Sequence, residues 1–484
     1  MFMLDVTQIG QRAIRSVVAL ISRTFFLNLV NFIGVLFLTI FLSRQEFGVF
    51  IIASSVVEIL AYFSDIGLAG ALIQKRVKLK KKEIEATFTI QEVLVLLGIG
   101  LVWLLSKPIQ RFYGFDQTGL WLIYALLIAF FLTSLKTIPS VLMERKLKFE
   151  KVIIPQIAET LVFNLLIVIL AWKGWGIKSY IVAVLARSIV GVIAIYILVP
   201  WRPRIRFSLQ AVKSLLKFGI PYQVNSVLAV FKDKVSLLIL GKILGLEGIG
   251  ILGWAEKWAN LALRYFLDAP VKVAFPMFSR LQHKLGKAKR SLEYSIYFIS
   301  VFVFPALTGA YLIMPQIIQV VPKYVKWQAG VSTFNLFLVS AAIAAIATFL
   351  TNFLTAMGKV KQVLLLMVMW TGLTLSLYPW LAIKMGYYGV AVASVLIALT
   401  AVVPFLLVRK MLRFNLLGNI GPAIVASLVM MIVLKAVKAF VPMTMTGLII
   451  NVILGAGIYL GTLVLINGRQ LKHHVTTFLS YAKT

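Results

Sequence analysis

The sequence has no cysteine, which excludes disulfides and thiolate chemistry and leaves the redox compartment unreadable. Its three histidines, His283, His473 and His474, have no metal-ligand spacing. Acidic residues are scarce, with 16 Asp and Glu against 49 Lys and Arg, and charged residues of both signs make up only 13% of the chain. No phosphate-binding Gly-x4-Gly-Lys-Ser/Thr loop and no nucleophile–base constellation occurs. The string Gly248-Ile-Gly-Ile-Leu-Gly253 matches a dinucleotide fingerprint formally, but that motif needs a preceding strand, and here it opens an apolar helix. Large polar segments between the apolar runs are missing too, so a membrane glycosyltransferase has nowhere to hold its acceptor. These absences point away from an enzyme, and no cofactor is expected.

What is present is apolar: hydrophobic residues make up 61% of the chain. They come in blocks that exceed the roughly 20 residues a helix needs to cross a bilayer. A β-barrel would alternate apolar and polar positions; these blocks are apolar on every side. The sequence therefore predicts an all-α polytopic membrane protein of about fourteen spans. The first six are 17–42, 47–73, 86–106, 119–142, 152–172 and 179–200. The next six are 217–241, 249–275, 292–314, 330–356, 361–384 and 387–409, and 420–440 and 446–467 complete the set. The first block is long enough to span, so it is expected to be a retained helix and not a signal peptide.

The net charge of +33 would suggest nucleic acid in a soluble protein. Here the basic residues lie mainly between spans, where they set topology and meet anionic lipid headgroups, so no nucleic-acid partner is expected. Roughly 30 Lys and Arg fall in one set of connections, including Lys75–Lys82, Arg145–Lys151 and Arg280–Arg290, against roughly 11 in the alternate set. This asymmetry places both termini in the cytoplasm and Arg44, Lys242, Lys435 and Lys438 outside.

The chain repeats itself. Leu42-Ser-Arg-Gln-Glu-Phe-Gly48-Val-Phe50 echoes Leu244-Gly-Leu-Glu-Gly-Ile-Gly250-Ile-Leu252. Met143-Glu-Arg-Lys echoes Met357-Gly-Lys, and Gly174-Trp-Gly echoes Gly386-Tyr-Tyr-Gly. The expected organisation is an N-terminal six-helix lobe (1–200), a cytoplasmic amphipathic linker (201–216), a second six-helix lobe (217–410) and two additional helices with a tail (411–484). In the linker, Leu209, Val212 and Leu216 share a helical face suited to a membrane surface. Parallel repeats of this kind are a transporter signature.

An ionisable group at mid-bilayer costs about 2.5–3.5 kcal/mol and so faces the protein interior or a wet cavity. Span eight carries Glu256, Asn260, Arg264 and Asp268 at four-residue intervals, hence on one face, with Lys257 beside it. Span seven carries Asn225, Lys232 and Asp233, with Lys234 pointing elsewhere. Span two carries Glu58 and Asp65 on one face, and span one carries Arg23, Asn28 and Asn31. Lys136, Glu159 and Arg187 stand isolated in spans four to six. Arg23, Lys232, Arg264 and Lys257 are the candidates for attracting an anionic group such as a phosphate, arginine by bidentate pairing and lysine as a point charge. Glu58, Asp65, Asp233, Glu256 and Asp268 are candidates for coupling or gating; Asn28, Asn31, Asn225 and Asn260 are candidates for lining a polar cavity.

Three segments resemble a known family. Ser64-Asp-Ile-Gly-Leu-Ala-Gly-Ala-Leu-Ile-Gln74, Asp233 with Leu237-Leu-Ile-Leu-Gly241-Lys-Ile-Leu-Gly245, and Ala274-Phe-Pro-Met-Phe-Ser-Arg-Leu-Gln282 are similar to polysaccharide flippases of the Wzx and WzxC type. The resemblance implies the multidrug/oligosaccharidyl-lipid/polysaccharide exporter fold, with two six-helix lobes around a cationic cavity and turnover by alternating access. It implies a polyprenyl-pyrophosphate-linked oligosaccharide as substrate, moved from the cytoplasmic to the outer leaflet of the cell membrane for surface polysaccharide biosynthesis. Membrane lipids are the other expected partners, the protein being monomeric or loosely associated with polymerisation machinery. Coupling to a proton or sodium gradient fits such a transporter. The alternatives in the same superfamily are a multidrug or cation antiporter and a peptidoglycan lipid-precursor flippase; a cation exporter should show an acidic cavity, whereas these spans carry a mixture in which bases are well represented.

Overall fold

Hydrocarbon offers no hydrogen-bond partner to the backbone, so a spanning chain must satisfy its N–H and C=O groups internally. The computed structural model, which describes residues 26–64, 67–75, 79–146, 148–438 and 440–483, does this with helices and has no strand among those residues. Ten of its helices are long and apolar enough to cross a membrane. Two of them are double crossings. Phe231–Asp268 and Val360–Met411 each contain a glycine that breaks the helix, Gly245 at φ 66°, ψ 177° and Gly386 at φ 62°, ψ −148°. Both conformations are open to glycine and closed to residues with a Cβ. Counting each as two and adding Phe26–Phe41 and Arg44–Ser64 gives the fourteen spans expected. The chain is a multi-pass α-helical membrane protein.

It divides into two compact units, Met1–Gly250 and Ile251–Thr484. In the first, α1 (Phe26–Phe41) and α2 (Arg44–Ser64) are followed by the short α3 (Leu68–Gln74), so span two is bent at Gly67. α4 (Lys81–Tyr113) begins with Glu83 accepting from the Lys80 amide at 3.1 Å and from Lys75 Nζ at 2.6 Å. Burial pushes the Glu83 carboxyl up, but these partners together hold it below the usual carboxylate value. Span four is split into α5 (Gln117–Ser134), capped by Asp116, and α6 (Thr137–Arg145). α7 (Phe149–Trp172) and α8 (Lys178–Leu198) pack against each other as a hairpin turned by Gly174 and Gly176, both at positive φ like the echoing Gly386.

α9 (Leu209–Arg280) begins inside the segment read as a linker. Its Val212 and Leu215 are buried among Leu68, Leu72, Ala86, Phe88, Ile138 and Val141, with Leu216 packed against them, so these three residues of the segment rest on protein. The repeat divides the sequence at 201–216, whereas the compact units divide at Gly250. The reason is side-chain chemistry. Span seven is held to the first unit by Lys234–Glu58 and by the Tyr113 hydroxyl donating to the Leu238 carbonyl at 3.1 Å.

In the second unit, α10 (Leu285–Val320), α11 (Val331–Ala356), α12 (Val360–Leu399) and α13 (Val402–Met411) follow the end of α9. Trp254 is fully buried, stacked on Trp327 at 5.4 Å and beside Phe334, which anchors the turn between α10 and α11. The last two helices, α14 (Leu416–Val437) and α15 (Met445–Lys483), pack onto α10 through Tyr297, Val301, Ala426, Met430, Leu434 and Tyr459. The Tyr459 hydroxyl donates to the Val301 carbonyl at 2.8 Å. They are thus an integral part of this unit.

Candidate functional site

The charges of spans four to six, isolated along the sequence, are brought together by packing. Lys136 sits at the break between α5 and α6 and pairs with Glu159 of α7 at 2.5 Å, the two side chains being 14% and 21% exposed. The break is stabilised from three sides: Tyr196 donates to the Leu135 carbonyl at 3.1 Å, Ser134 donates to Glu92 at 2.8 Å, and Gln91 donates to Thr137 at 2.8 Å. Glu159 lies over Gly191 of α8, where a Cβ would come within 1.8 Å of its carboxylate oxygen. One turn before that glycine, Arg187 stacks on the Phe163 ring at 5.0 Å and lies in the field of both Glu159 and Glu58. Arg187 is exposed and makes no ion pair among the described residues.

Glu58 of α2 pairs with Lys234 at 2.5 Å, the residue that helical spacing set aside. Lys232 and Asp233 pair with each other at 2.8 Å. Asn31 accepts from Asn164 of α7 at 3.1 Å, and Asn28 is half-buried on the same helix. After the break at Gly245 the helix runs on unbroken to Arg280, so Glu256, Asn260, Arg264 and Asp268 of the second unit keep one face, with Lys257 adjacent. Arg23 and Asp65 lie outside the described residues, and the Asn225 side chain is likewise outside them. Sequence reasoning missed Glu92 and Asn164 and set Lys234 aside. Glu92 carried a usable signal, being an ionisable residue inside the third apolar block. No group of residues able to hold a metal ion occurs among those described.

A second feature lies at the other end of these spans. Ser43 and Glu46 form a reciprocal cap at the start of α2, the Glu46 amide donating to Ser43 Oγ at 3.2 Å and the Ser43 amide to Glu46 Oε2 at 2.7 Å. Beside it, a Cβ on Gly48 would come within 1.9 Å of the Leu246 carbonyl oxygen, and a Cβ on Gly250 within 1.9 Å of the Arg44 carbonyl oxygen. With the repeat offset of 202 residues, Gly48 corresponds to Gly250 and Arg44 to Leu246, so one contact is made twice. Arg44 Nη1 also pairs with Glu247 at 2.7 Å, with side chains 27% and 63% exposed. Exposed pairs contribute little. Glu247→Gln is therefore expected to lower stability by less than about 1 kcal/mol, an effect that shrinks further in high salt, as thermal midpoints at two ionic strengths would show.

The sequence profile of the polysaccharide biosynthesis protein family matches residues 37–332. The chain belongs to that family. Among its relatives, the succinoglycan biosynthesis transport protein ExoT of Rhizobium meliloti (strain 1021) is 24% identical over 58% of this chain and 56% of its own length. The lipopolysaccharide biosynthesis protein WzxC of Escherichia coli (strain K12) is 23% identical over 66% of this chain and 65% of its own. The matched segments thus span less than two thirds of these relatives. Among solved structures, the lipid II flippase MurJ in an inward closed conformation aligns with a TM-score of 0.79 at 15% identity, over 94% of this chain and 100% of that one. At that identity the likeness shows the fold, and the fold is the one the Wzx resemblance implies. Among the described residues of the first unit, Lys136 pairs with Glu159 between spans four and five and Lys234 with Glu58 between spans seven and two, while Arg187 of span six stays unpaired.

Proposed function

We propose that this family member is a flippase that moves a polyprenyl-pyrophosphate-linked oligosaccharide from the cytoplasmic to the outer leaflet by alternating access. Family membership supports a role in polysaccharide biosynthesis, and the fold supports transport. The observation that carries the reading is Arg187: an arginine at membrane depth, stacked on an aromatic face and near two carboxylates yet bound to neither, is a ready partner for a pyrophosphate. Lys136, Lys232 and Lys234 are each paired with a carboxylate. An arriving diphosphate competes for those lysines, which couples binding to rearrangement. Arg23, Arg264 and Lys257 are proposed to extend the anion site, with Glu58, Asp65, Asp233, Glu256 and Asp268 coupling transport to a proton or sodium gradient. The chain performs no covalent step in this scheme. It resides in the cell membrane with both termini cytoplasmic, which puts the Gly48–Gly250 contact at the outer surface, where it acts as a latch that opens when substrate leaves.

Binding tests the assignment. Purified protein titrated with a short polyprenyl-pyrophosphate oligosaccharide is expected to lose about tenfold in affinity on Arg187→Gln, as removal of a charge-assisted contact does. The uncharged polyprenol should bind both forms weakly. Equal affinity of wild type and variant would remove Arg187 from the site.

A further inference from the structure

A pocket of about 160 Å³ in the second unit is lined by Tyr311 and Gln316 of α10, Asn335 of α11, Lys435 and Lys438 at the end of α14, and Asn451 of α15. Its polar groups are unmatched in a specific way. Asn451 is 6% exposed, and its amide donates to Gln316 Oε1 at 3.0 Å, but its own Oδ1 is buried and accepts nothing. The Asn335 Oδ1 is buried and without a donor as well. Pro315 lies inside α10, so the Tyr311 carbonyl lacks its usual helical donor. Neither Lys435 nor Lys438 makes an ion pair among the described residues; the Lys435 ammonium rests 5.4 Å from the centroid of the Tyr311 ring.

Buried acceptors without donors are costly, and lysines at a membrane surface attract anionic headgroups. One ligand chemistry satisfies both: an anionic phosphate for the lysines, joined to hydroxyls that donate to the amide oxygens. Ammonium-bearing headgroups supply a third positive charge beside the two lysines and fit poorly. The flanking side chains Ile432, Ile449 and Val452 are apolar and 48–64% exposed, which sets acyl chains next to the pocket. We propose that this pocket binds the headgroup of a hydroxyl-bearing anionic phospholipid, a phosphodiester carrying a glycerol or sugar. It lies at the end of the bundle that the basic-residue asymmetry assigns to the outside. The proposal does not depend on what the protein transports.

Native mass spectrometry of the purified protein, equilibrated with defined lipids, tests this. Phosphatidylglycerol should be retained in preference to phosphatidate and phosphatidylethanolamine. Lys435→Gln with Lys438→Gln, at exposed positions that leave the fold intact, should lower retention about tenfold. Lys173→Gln, an exposed lysine elsewhere, should leave retention unchanged. Asn451→Leu should reduce phosphatidylglycerol to the level of phosphatidate. Retention unaffected by the double lysine substitution, or lost equally in Lys173→Gln, would overturn the site. Phosphatidate held as tightly as phosphatidylglycerol would overturn the hydroxyl requirement, and glycerol 3-phosphate binding as tightly as the lipid would overturn a lipid as its source.

Discussion

Glu159→Ala is expected to destabilise the protein by about 3–5 kcal/mol, because it leaves the Lys136 ammonium inside the membrane without its counter-charge. The thermal midpoint of detergent-purified protein, followed by intrinsic fluorescence, should fall clearly below that of wild type. Replacing both members, Lys136→Met with Glu159→Leu, removes the charges together and should recover most of that loss. The double variant also separates architecture from transport. If the pair serves only packing, the double variant transports normally. If a diphosphate competes for Lys136, as proposed, the double variant is stable and transports poorly. A Glu159→Ala protein as stable as wild type would show that the pair is not made.

Gly250→Val is expected to force the proposed latch between Gly48 and Gly250 apart. The added Cβ would meet the Arg44 carbonyl oxygen at 1.9 Å, and a backbone atom cannot swing aside as a side chain can. Gly48→Val, by the same geometry against the Leu246 carbonyl, should do the same. The lack of native cysteine supplies a clean readout. Ile249→Cys places a single thiol at a fully buried latch position. Labelling by a membrane-impermeant thiol reagent should be slow in the parent and at least about tenfold faster with either valine, the scale of a population shift between two states. Unchanged labelling would mean that the two glycines do not hold this end closed.

These two sites differ in how far the sequence announces them. The latch was half visible: the echo of Leu42–Phe50 in Leu244–Leu252 aligned Gly48 with Gly250, but only the folded chain shows that the equivalent segments touch each other. The spans were legible throughout, because apolar blocks of bilayer length admit no other secondary structure. Their ends were less so. α4 and α10 run well past the apolar blocks on which they were placed, since a helix continues into the headgroup region wherever its polar residues still favour it. The charged cluster was the hardest to see. Helical periodicity relates residues within one span, as it did for Glu256 to Asp268. It is silent on the meeting of Lys136, Glu159 and Arg187 from three spans, or on Lys234 turning toward Glu58.

The most direct measurement is of flipping itself. Proteoliposomes carrying a polyprenyl-pyrophosphate oligosaccharide on one leaflet would be followed with an external sugar-cleaving enzyme that reports exposure. The account predicts protein-dependent acceleration that is strongly reduced in Arg187→Gln, Arg264→Ala and Lys232→Ala proteins of normal abundance and fold. No acceleration over protein-free vesicles, with or without proton and sodium gradients, would contradict it.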